Sequence, residues 1–102
     1  MITVRHKFNA KPQTIDDIRF SSKKEAKYYL DLKRRQAEGE LLFFLQQVPI
    51  RLPGKIKYVV DFLIFKSNGE VEFVDVKGLK TQLYVLKKKQ VEALYPFEIK
   101  EV

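Results

Sequence analysis

The chain has 102 residues, a length that suits one domain. Its 20 Lys and Arg residues outnumber 13 Asp and Glu residues, and the formal net charge of +7 favours polyanionic partners, nucleic acid above all. The absence of cysteine excludes a disulfide framework and thiol catalysis, and a single histidine makes a zinc site improbable. Any metal site would therefore use oxygen ligands, which favours Mg²⁺ with Mn²⁺ as a substitute.

Targeting and membrane signals are not visible in the sequence. The longest apolar run, residues 59–65, is interrupted by Asp61 and is too short to span a bilayer. Residues 1–8 lack the apolar centre of a signal peptide. We predict a cytoplasmic protein with no membrane contact and no small-molecule cofactor. Residues 1–102 are expected to form one domain, in which residues 1–13 are a loosely structured basic N-terminal segment.

The first predicted elements are a short hairpin over residues 14–20 and a helix over residues 22–38. Ser22 is a predicted N-cap, and Glu25 three residues later completes a capping box. Gly39 lies where a left-handed residue commonly ends a helix. The apolar stripe of this helix is expected to consist of Ala26, Tyr29, Leu30 and Ala37.

Strands dominate the second half of the sequence. They are predicted at residues 41–47, 56–65 and 70–77, and a short extended piece at 50–52 is bracketed by prolines. A second helix follows over residues 84–94, and residues 97–102 are expected to add a final strand. The order α-β-β-β-α-β is typical of an α/β domain.

An aspartate interrupts the most apolar of these strands. Asp61 is costly there unless something pairs with it, and Asp75-Val76-Lys77 ends the next strand in a similar setting. A two-residue turn would place Asp61 across from Val76, with the two aspartates on opposite faces. A three-residue loop would place Asp61 across from Asp75, with Lys77 on the same face. We predict the second register, because Gly69 then stands third in the loop, where a left-handed residue is needed.

Two facing carboxylates repel one another, and a divalent cation would turn that cost into a binding site. Asp61 and Asp75 are the predicted metal ligands, and the carbonyl of Val76 is a candidate for a third. Lys77 would orient water or neutralise charge on a phosphate. Glu25 has two alternative roles, in the capping box or in the acidic site, since one carboxylate cannot fill both.

Several separated motifs follow one another in a fixed order along the chain. They are Phe20-Ser21-Ser22-Lys23-Lys24-Glu25-Ala26, Gly39-Glu40, Gln47, Tyr58-Val59-Val60-Asp61-Phe62, Asp75-Val76-Lys77-Gly78, Thr81 and Lys87-Lys88-Lys89. Together they resemble a small phage- and prophage-encoded family of the PD-(D/E)XK nuclease superfamily, and the resemblance extends from about residue 15 to residue 97. Asp75 stands where many members of the superfamily have Glu, and it is an accepted variant.

The resemblance implies a restriction-endonuclease-like core, in which a helix bearing an acid precedes a mixed β-sheet flanked by helices. It also implies metal-dependent cleavage of DNA. Asp61 and Asp75 would bind metal, Lys77 would be the catalytic lysine, Glu25 would complete the site and Gln47 would support it. Thr81 and Lys87 would contact the phosphate backbone.

The leading functional hypothesis is a Mg²⁺-dependent endodeoxyribonuclease, acting as a homodimer on branched or recombination-intermediate DNA of a phage. The second is a non-catalytic nucleic-acid-binding module. A third is a nuclease-fold subunit of a larger phage DNA-processing complex. The residues expected to contact phosphates in the second hypothesis are Lys23, Lys27, Arg34, Lys80 and Lys87.

Overall fold

A computed structural model describes residues 12–102 of the chain, so the predictions for residues 1–11 lie outside it. The described part begins with the predicted hairpin, formed by β1 (Gln13–Ile15) and β2 (Ile18–Phe20). Its two turn residues, Asp16 and Asp17, adopt φ values of 53° and 62°, as a tight hairpin turn requires. Gln13, expected to end a loose segment, instead pairs with Phe20.

Helix α1 (Lys23–Ala37) follows, and both predicted helix ends are confirmed. Ser22 is the N-cap, and Gly39 has a φ of 85° just beyond the helix. The predicted apolar stripe is wrong in part, because Leu30 and Ala37 are exposed while Leu32 is fully buried. The buried face is centred near Tyr29, and Leu30, one residue on, lies about 100° around the helix axis.

A four-stranded mixed sheet forms the centre of the molecule. Its elements in chain order are β3 (Leu41–Leu52), β4 (Ile56–Lys66), β5 (Val71–Asp75), α2 (Gln82–Leu94) and β6 (Ile99–Glu101). The spatial order is β3-β4-β5-β6, with antiparallel neighbours except for the parallel pair β5 and β6. The α/β class and the order α-β-β-β-α-β are therefore confirmed, after an additional N-terminal hairpin. No helix within residues 12–102 is long and apolar enough to cross a membrane.

β3 is a single strand, whereas two pieces separated by Pro49 were predicted. Pro49 is accommodated because β3 is an edge strand of the sheet, where the missing N–H leaves no neighbouring strand unpaired. The predicted register between β4 and β5 is confirmed, since Phe62 pairs with Val74 and the N–H of Lys66 donates to the Glu70 carbonyl at 2.8 Å.

The two helices cover opposite faces of the sheet. Val74 packs in the core with α1, and the adjacent Phe73 packs against the core that contains α2. Successive residues of a strand point to opposite faces. In β4, however, Phe62 belongs to the first core and Val60 to the second, although residues two apart normally share a face. The alternation therefore breaks at Asp61, and all three consecutive residues are buried.

The same reversal occurs on the neighbouring strand. Phe44 packs against the α1 core, whereas Val48 and Ile50 belong to the α2 core. Between them Gln47 adopts a φ of 52°, a left-handed conformation that is uncommon for a residue other than glycine. Its position lies opposite Asp61, between the paired residues on either side. Gln47 and Asp61 thus lie at the junction of the two cores.

Candidate acidic site

The side chains of Asp61 and Asp75 each accept a hydrogen bond from the backbone of the neighbouring segment. The backbone N–H of Asp61 donates to Oδ1 of Asp75 at 2.9 Å, and the N–H of Val76 donates to Oδ2 of Asp61 at 2.9 Å. Both are buried, with exposed fractions of 8% and 0%. The two acids therefore lie together, as the three-residue loop predicted.

Asp75 is enclosed by further donors. The hydroxyl of Tyr58 donates to its Oδ2, so both carboxylate oxygens accept hydrogen bonds. Burial raises the pKa of Asp75, and the backbone N–H of Asp61 and the nearby charge of Lys77 offset part of that rise. The raised pKa indicates that the surroundings do not fully stabilise the ionised form.

The Glu25 side chain does not complete the predicted capping box. Its backbone N–H donates to Oγ of the cap residue Ser22 at 3.1 Å, while its carboxylate accepts from Ser21 Oγ at 3.1 Å and from Gln47 Nε2 at 3.3 Å. The carboxylate is thus turned toward the acidic site. Burial raises the pKa of Glu25, and repulsion by Asp61 raises it further.

Gln47 connects the two acids that belong to different elements. Its Nε2 lies 3.3 Å from Oε2 of Glu25 and 3.3 Å from Oδ1 of Asp61. One amide group therefore occupies the space in which two carboxylates converge. Its left-handed backbone conformation costs of the order of 1–3 kcal/mol, and such strain is often found at functional sites.

Lys77 is held at the edge of the site by an aromatic ring. Its Nζ lies 4.6 Å from the centre of the Tyr84 ring, and its carbonyl accepts from Lys24 Nζ at 3.0 Å. The Tyr84 hydroxyl donates to Glu101 at 2.7 Å. Burial raises the pKa of Tyr84, and the same hydrogen bond lowers the pKa of Glu101.

A cleft of about 320 Å³ opens beside the acids. Glu25, Gln47 and Asp61 line one part of it, and the β2 strand contributes Arg19. Sequence reasoning missed Arg19, because no sequence signal indicates that the weakly patterned hairpin packs beside the acids. It also missed Tyr58 and Tyr84, since aromatic residues in a strand or a helix are typical of a core.

The donor set suits a hard divalent cation. Glu25 and Asp61 supply carboxylate oxygens, and repulsion by Asp61 is one cause of the raised pKa of Glu25. Within residues 12–102, however, no three His, Cys, Asp or Glu side chains are grouped closely enough to hold an ion in the arrangement described. Asp75 is turned toward Tyr58, and the contact of Val76 with the site is made through its N–H.

The sequence model of the family described as Protein of unknown function (DUF1064) matches residues 5–101. The chain belongs to this family. Searches among curated proteins and among solved structures found no match.

The predicted phosphate contacts are spread over both helices. Arg34 is paired with Asp31 at 2.7 Å and with Glu38 at 2.8 Å, and it lines an open groove of about 540 Å³ together with Lys27. Lys23, like Lys27, is exposed on α1.

On α2, the predicted contacts have structural partners. Lys80 pairs with Glu101 at 3.0 Å. Thr81 is the N-cap of the helix, and its Oγ1 accepts from the N–H of Tyr84 at 3.1 Å. Lys87 Nζ lies 3.4 Å from the carbonyl of Lys57. The predicted cations therefore do not form one patch.

Proposed function

We propose that this protein is a metal-dependent endodeoxyribonuclease of the PD-(D/E)XK type. The observation that carries the proposal is the convergence of the Glu25 and Asp61 carboxylates on one Gln47 amide nitrogen, 3.3 Å from each. Asp75 lies across the ladder from Asp61, and Lys77 follows on the same strand end. Acids brought together at the cost of raised pKa values are typical of a site that binds a cation.

The arrangement of elements supports a restriction-endonuclease-like core. Helix α1 carries Glu25 and precedes an antiparallel three-stranded unit, to which β6 adds in parallel after α2. Asp61 lies within the middle strand, and Asp75 ends the next. This is the placement of acids and lysine that the resemblance implies.

Mg²⁺ is the proposed cofactor, with Mn²⁺ as a substitute. Glu25 and Asp61 would hold the ion and water would supply its remaining ligands, because Asp75 is turned toward Tyr58 and Val76 meets the site through its N–H. When bound, such an ion supplies Lewis acidity toward the phosphate and a water of lowered pKa. The carboxylates of Glu25 and Asp61 in the lining of the cleft are oxygen ligands that suit this hard ion.

The remaining groups of the site would act on the phosphate. In the proposed reaction the oxygen of water forms a bond to phosphorus, one P–O ester bond breaks, and the departing oxygen takes up a proton. Lys77 would stabilise the negative charge that develops on the phosphate oxygens. Arg19 lines the same cleft and would hold a second phosphate oxygen.

A supercoiled plasmid incubated with Mg²⁺, Mn²⁺ or EDTA tests the proposal. We expect nicking and linearisation with either metal and none with EDTA. Asp61→Asn and Glu25→Gln should each reduce the rate at least 100-fold, whereas Glu98→Gln, an equal charge change at an exposed position, should leave it unchanged. No cleavage by the wild-type protein with either metal, on plasmid or on four-way junction DNA, would reject the nuclease.

A non-catalytic nucleic-acid-binding module is the second candidate, in isolation or as a subunit of a larger phage DNA-processing complex. The observation that favours it is that Asp75 is fully buried, with both oxygens already hydrogen-bonded. DNA binding that is retained without cleavage would support this candidate.

A further inference from the structure

The end of the β3–β4 hairpin carries a group of uncompensated positive charges. Arg51, Lys55 and Lys57 are exposed and line a concavity of about 580 Å³. The other residues that line it are Pro49, Leu52 and Ile56, so none of the described lining residues is acidic. We call Arg51, Lys55 and Lys57 the hairpin cluster.

Two members of the hairpin cluster are placed where they repel each other. Arg51 pairs directly with Lys57 across the two strands. Like charges in directly opposed positions destabilise an antiparallel pair. Lys55 lies in the connecting turn with a φ of 60°, and the Nζ of Lys87 lies 3.4 Å from the carbonyl of Lys57, which adds a fourth cation.

Several other basic residues within residues 12–102 are paired with carboxylates, in contrast to the hairpin cluster. Arg34, Lys66, Lys80 and Lys88 each lie within 4.0 Å of a carboxylate. Within residues 12–102, no carboxylate pairs with Arg51, Lys55 or Lys57. A fold that concentrates repelling charges on a short hairpin gains stability when an anion binds there.

We propose that the hairpin cluster binds the phosphate backbone of duplex DNA and anchors it at a distance from the acidic site. Lys57 and Asp61 lie on the same strand, and four residues of strand span about 13 Å. That distance equals about four base pairs at 3.4 Å each. The anchor would therefore grip phosphates about four base pairs from the bond that is cut, an inference that rests on the proposed nuclease function.

The test measures binding of a fluorescent 20-base-pair duplex in EDTA at several salt concentrations. Each phosphate contact contributes about −0.9 to the slope of log affinity against log salt. The double variant Arg51→Gln/Lys57→Gln should flatten the slope by about 2 and weaken binding. Lys33→Gln/Lys100→Gln makes the same change in net charge at exposed positions elsewhere and should leave the slope within about 0.5 of wild type.

A second readout separates a binding role from a merely structural one. Removing the repulsion should raise the melting temperature of the free protein in Arg51→Gln/Lys57→Gln, and added duplex should stabilise this variant less than it stabilises the wild type. A lower melting temperature in the free variant would contradict the repulsion on which the inference depends.

The outcomes are distinguishable from failure of the nuclease proposal. If the wild-type protein binds DNA through the hairpin cluster but never cuts it, the proposed DNA anchor stands and the proposed nuclease function is rejected. An unchanged slope in the double variant, or an equal flattening in the control, would overturn the anchor even if cleavage occurs. If Arg51→Gln/Lys57→Gln lost binding to phosphatidylserine vesicles while its DNA binding was unchanged, the hairpin cluster would be assigned to a lipid surface. That result would also overturn the DNA anchor.

Discussion

The ammonium of Lys77 lies over the aromatic ring of Tyr84, with Nζ 4.6 Å from the ring centre. A cation–π contact of this kind is worth about 0.5–2 kcal/mol, or about 2- to 30-fold in rate if it positions a catalytic lysine. We expect Tyr84→Leu to reduce plasmid cleavage within this range, with little change in DNA affinity. Tyr84→Phe keeps the ring and loses only the hydrogen bond to Glu101, so its rate should remain within about twofold of wild type. Equal losses in the two variants would contradict the role of the ring.

The raised pKa values of Glu25 and Asp75 make stability depend on pH. Burial favours the protonated forms in the folded state, so the folded protein binds protons more tightly than the unfolded chain. The stabilising contribution of each carboxyl group to the free energy of unfolding is fully present below the pKa of the group in the unfolded chain, near 4. It is lost as the pH rises through the raised pKa of the group in the folded protein. Denaturant titrations in EDTA from pH 4 upward should therefore show the free energy of unfolding declining across this window.

Two variants separate the effect of these two carboxyl groups on stability from the effects of the other titratable groups. Glu25→Gln and Asp75→Asn should each flatten the decline relative to wild type. Glu101, whose pKa is lowered, contributes with the opposite sign, so the difference between each variant and wild type is the quantity to compare. An identical slope in wild type and both variants would show that neither carboxylate is destabilised in its ionised form.

The left-handed backbone at Gln47 would favour glycine, but the Gln47 amide also holds two carboxylates. Gln47→Gly relieves about 1–2 kcal/mol of strain and loses two hydrogen bonds to carboxylates, worth about 1.5–3 kcal/mol each, so we expect a net loss of about 1–5 kcal/mol of stability in EDTA. With the amide gone, Glu25 and Asp61 repel without an intervening donor. Mg²⁺ should then raise the melting temperature of this variant more than that of wild type.

Lys55→Gly provides the control, because Lys55 has a similar φ of 60° in an exposed turn away from the acids. It should relieve backbone strain without altering the response to Mg²⁺. A Mg²⁺ response of Gln47→Gly no greater than that of wild type would contradict a cation site between Glu25 and Asp61.

An uncovered apolar face indicates where the proposed homodimer would form. Phe43 and Leu45 are 44% and 46% exposed, and the ladder places them beside Phe65 and Leu63 on the face away from α1. Apolar residues grouped in this way on a sheet are typical of a contact surface. We expect the wild-type protein to sediment as a dimer and Leu45→Lys to sediment as a monomer.

The control for this prediction is Leu94→Lys, which adds the same charge at an exposed leucine of α2. It should leave the dimer intact. A dimer that persists in Leu45→Lys, or that dissociates only in Leu94→Lys, would place the contact elsewhere.

Local sequence signals predicted much of the site. Gly69 determined the loop length, and the loop length determined that Asp61 lies opposite Asp75. Ser22 marked the start of α1 and so the position of Glu25. These predictions succeeded because turn and cap residues act over a few neighbouring positions.

The features that sequence reasoning missed depend on contacts between distant elements. Gln47 has no local signal for a left-handed conformation, and Pro49 is compatible with β3 only because that strand is at an edge. Tertiary packing alone brings Tyr58 into contact with Asp75, and Tyr84 into contact with Lys77. A glutamate three residues after a serine predicts a capping box, and only the folded structure reveals that the carboxylate turns away from it.

The reversal of strand faces at Gln47 and Asp61 has a mechanical consequence. Two hydrophobic clusters, one under each helix, meet at these residues and share the strands β3 and β4. The acids are therefore clamped at a joint between separately packed halves. Such a joint keeps like charges close together without help from a flexible loop.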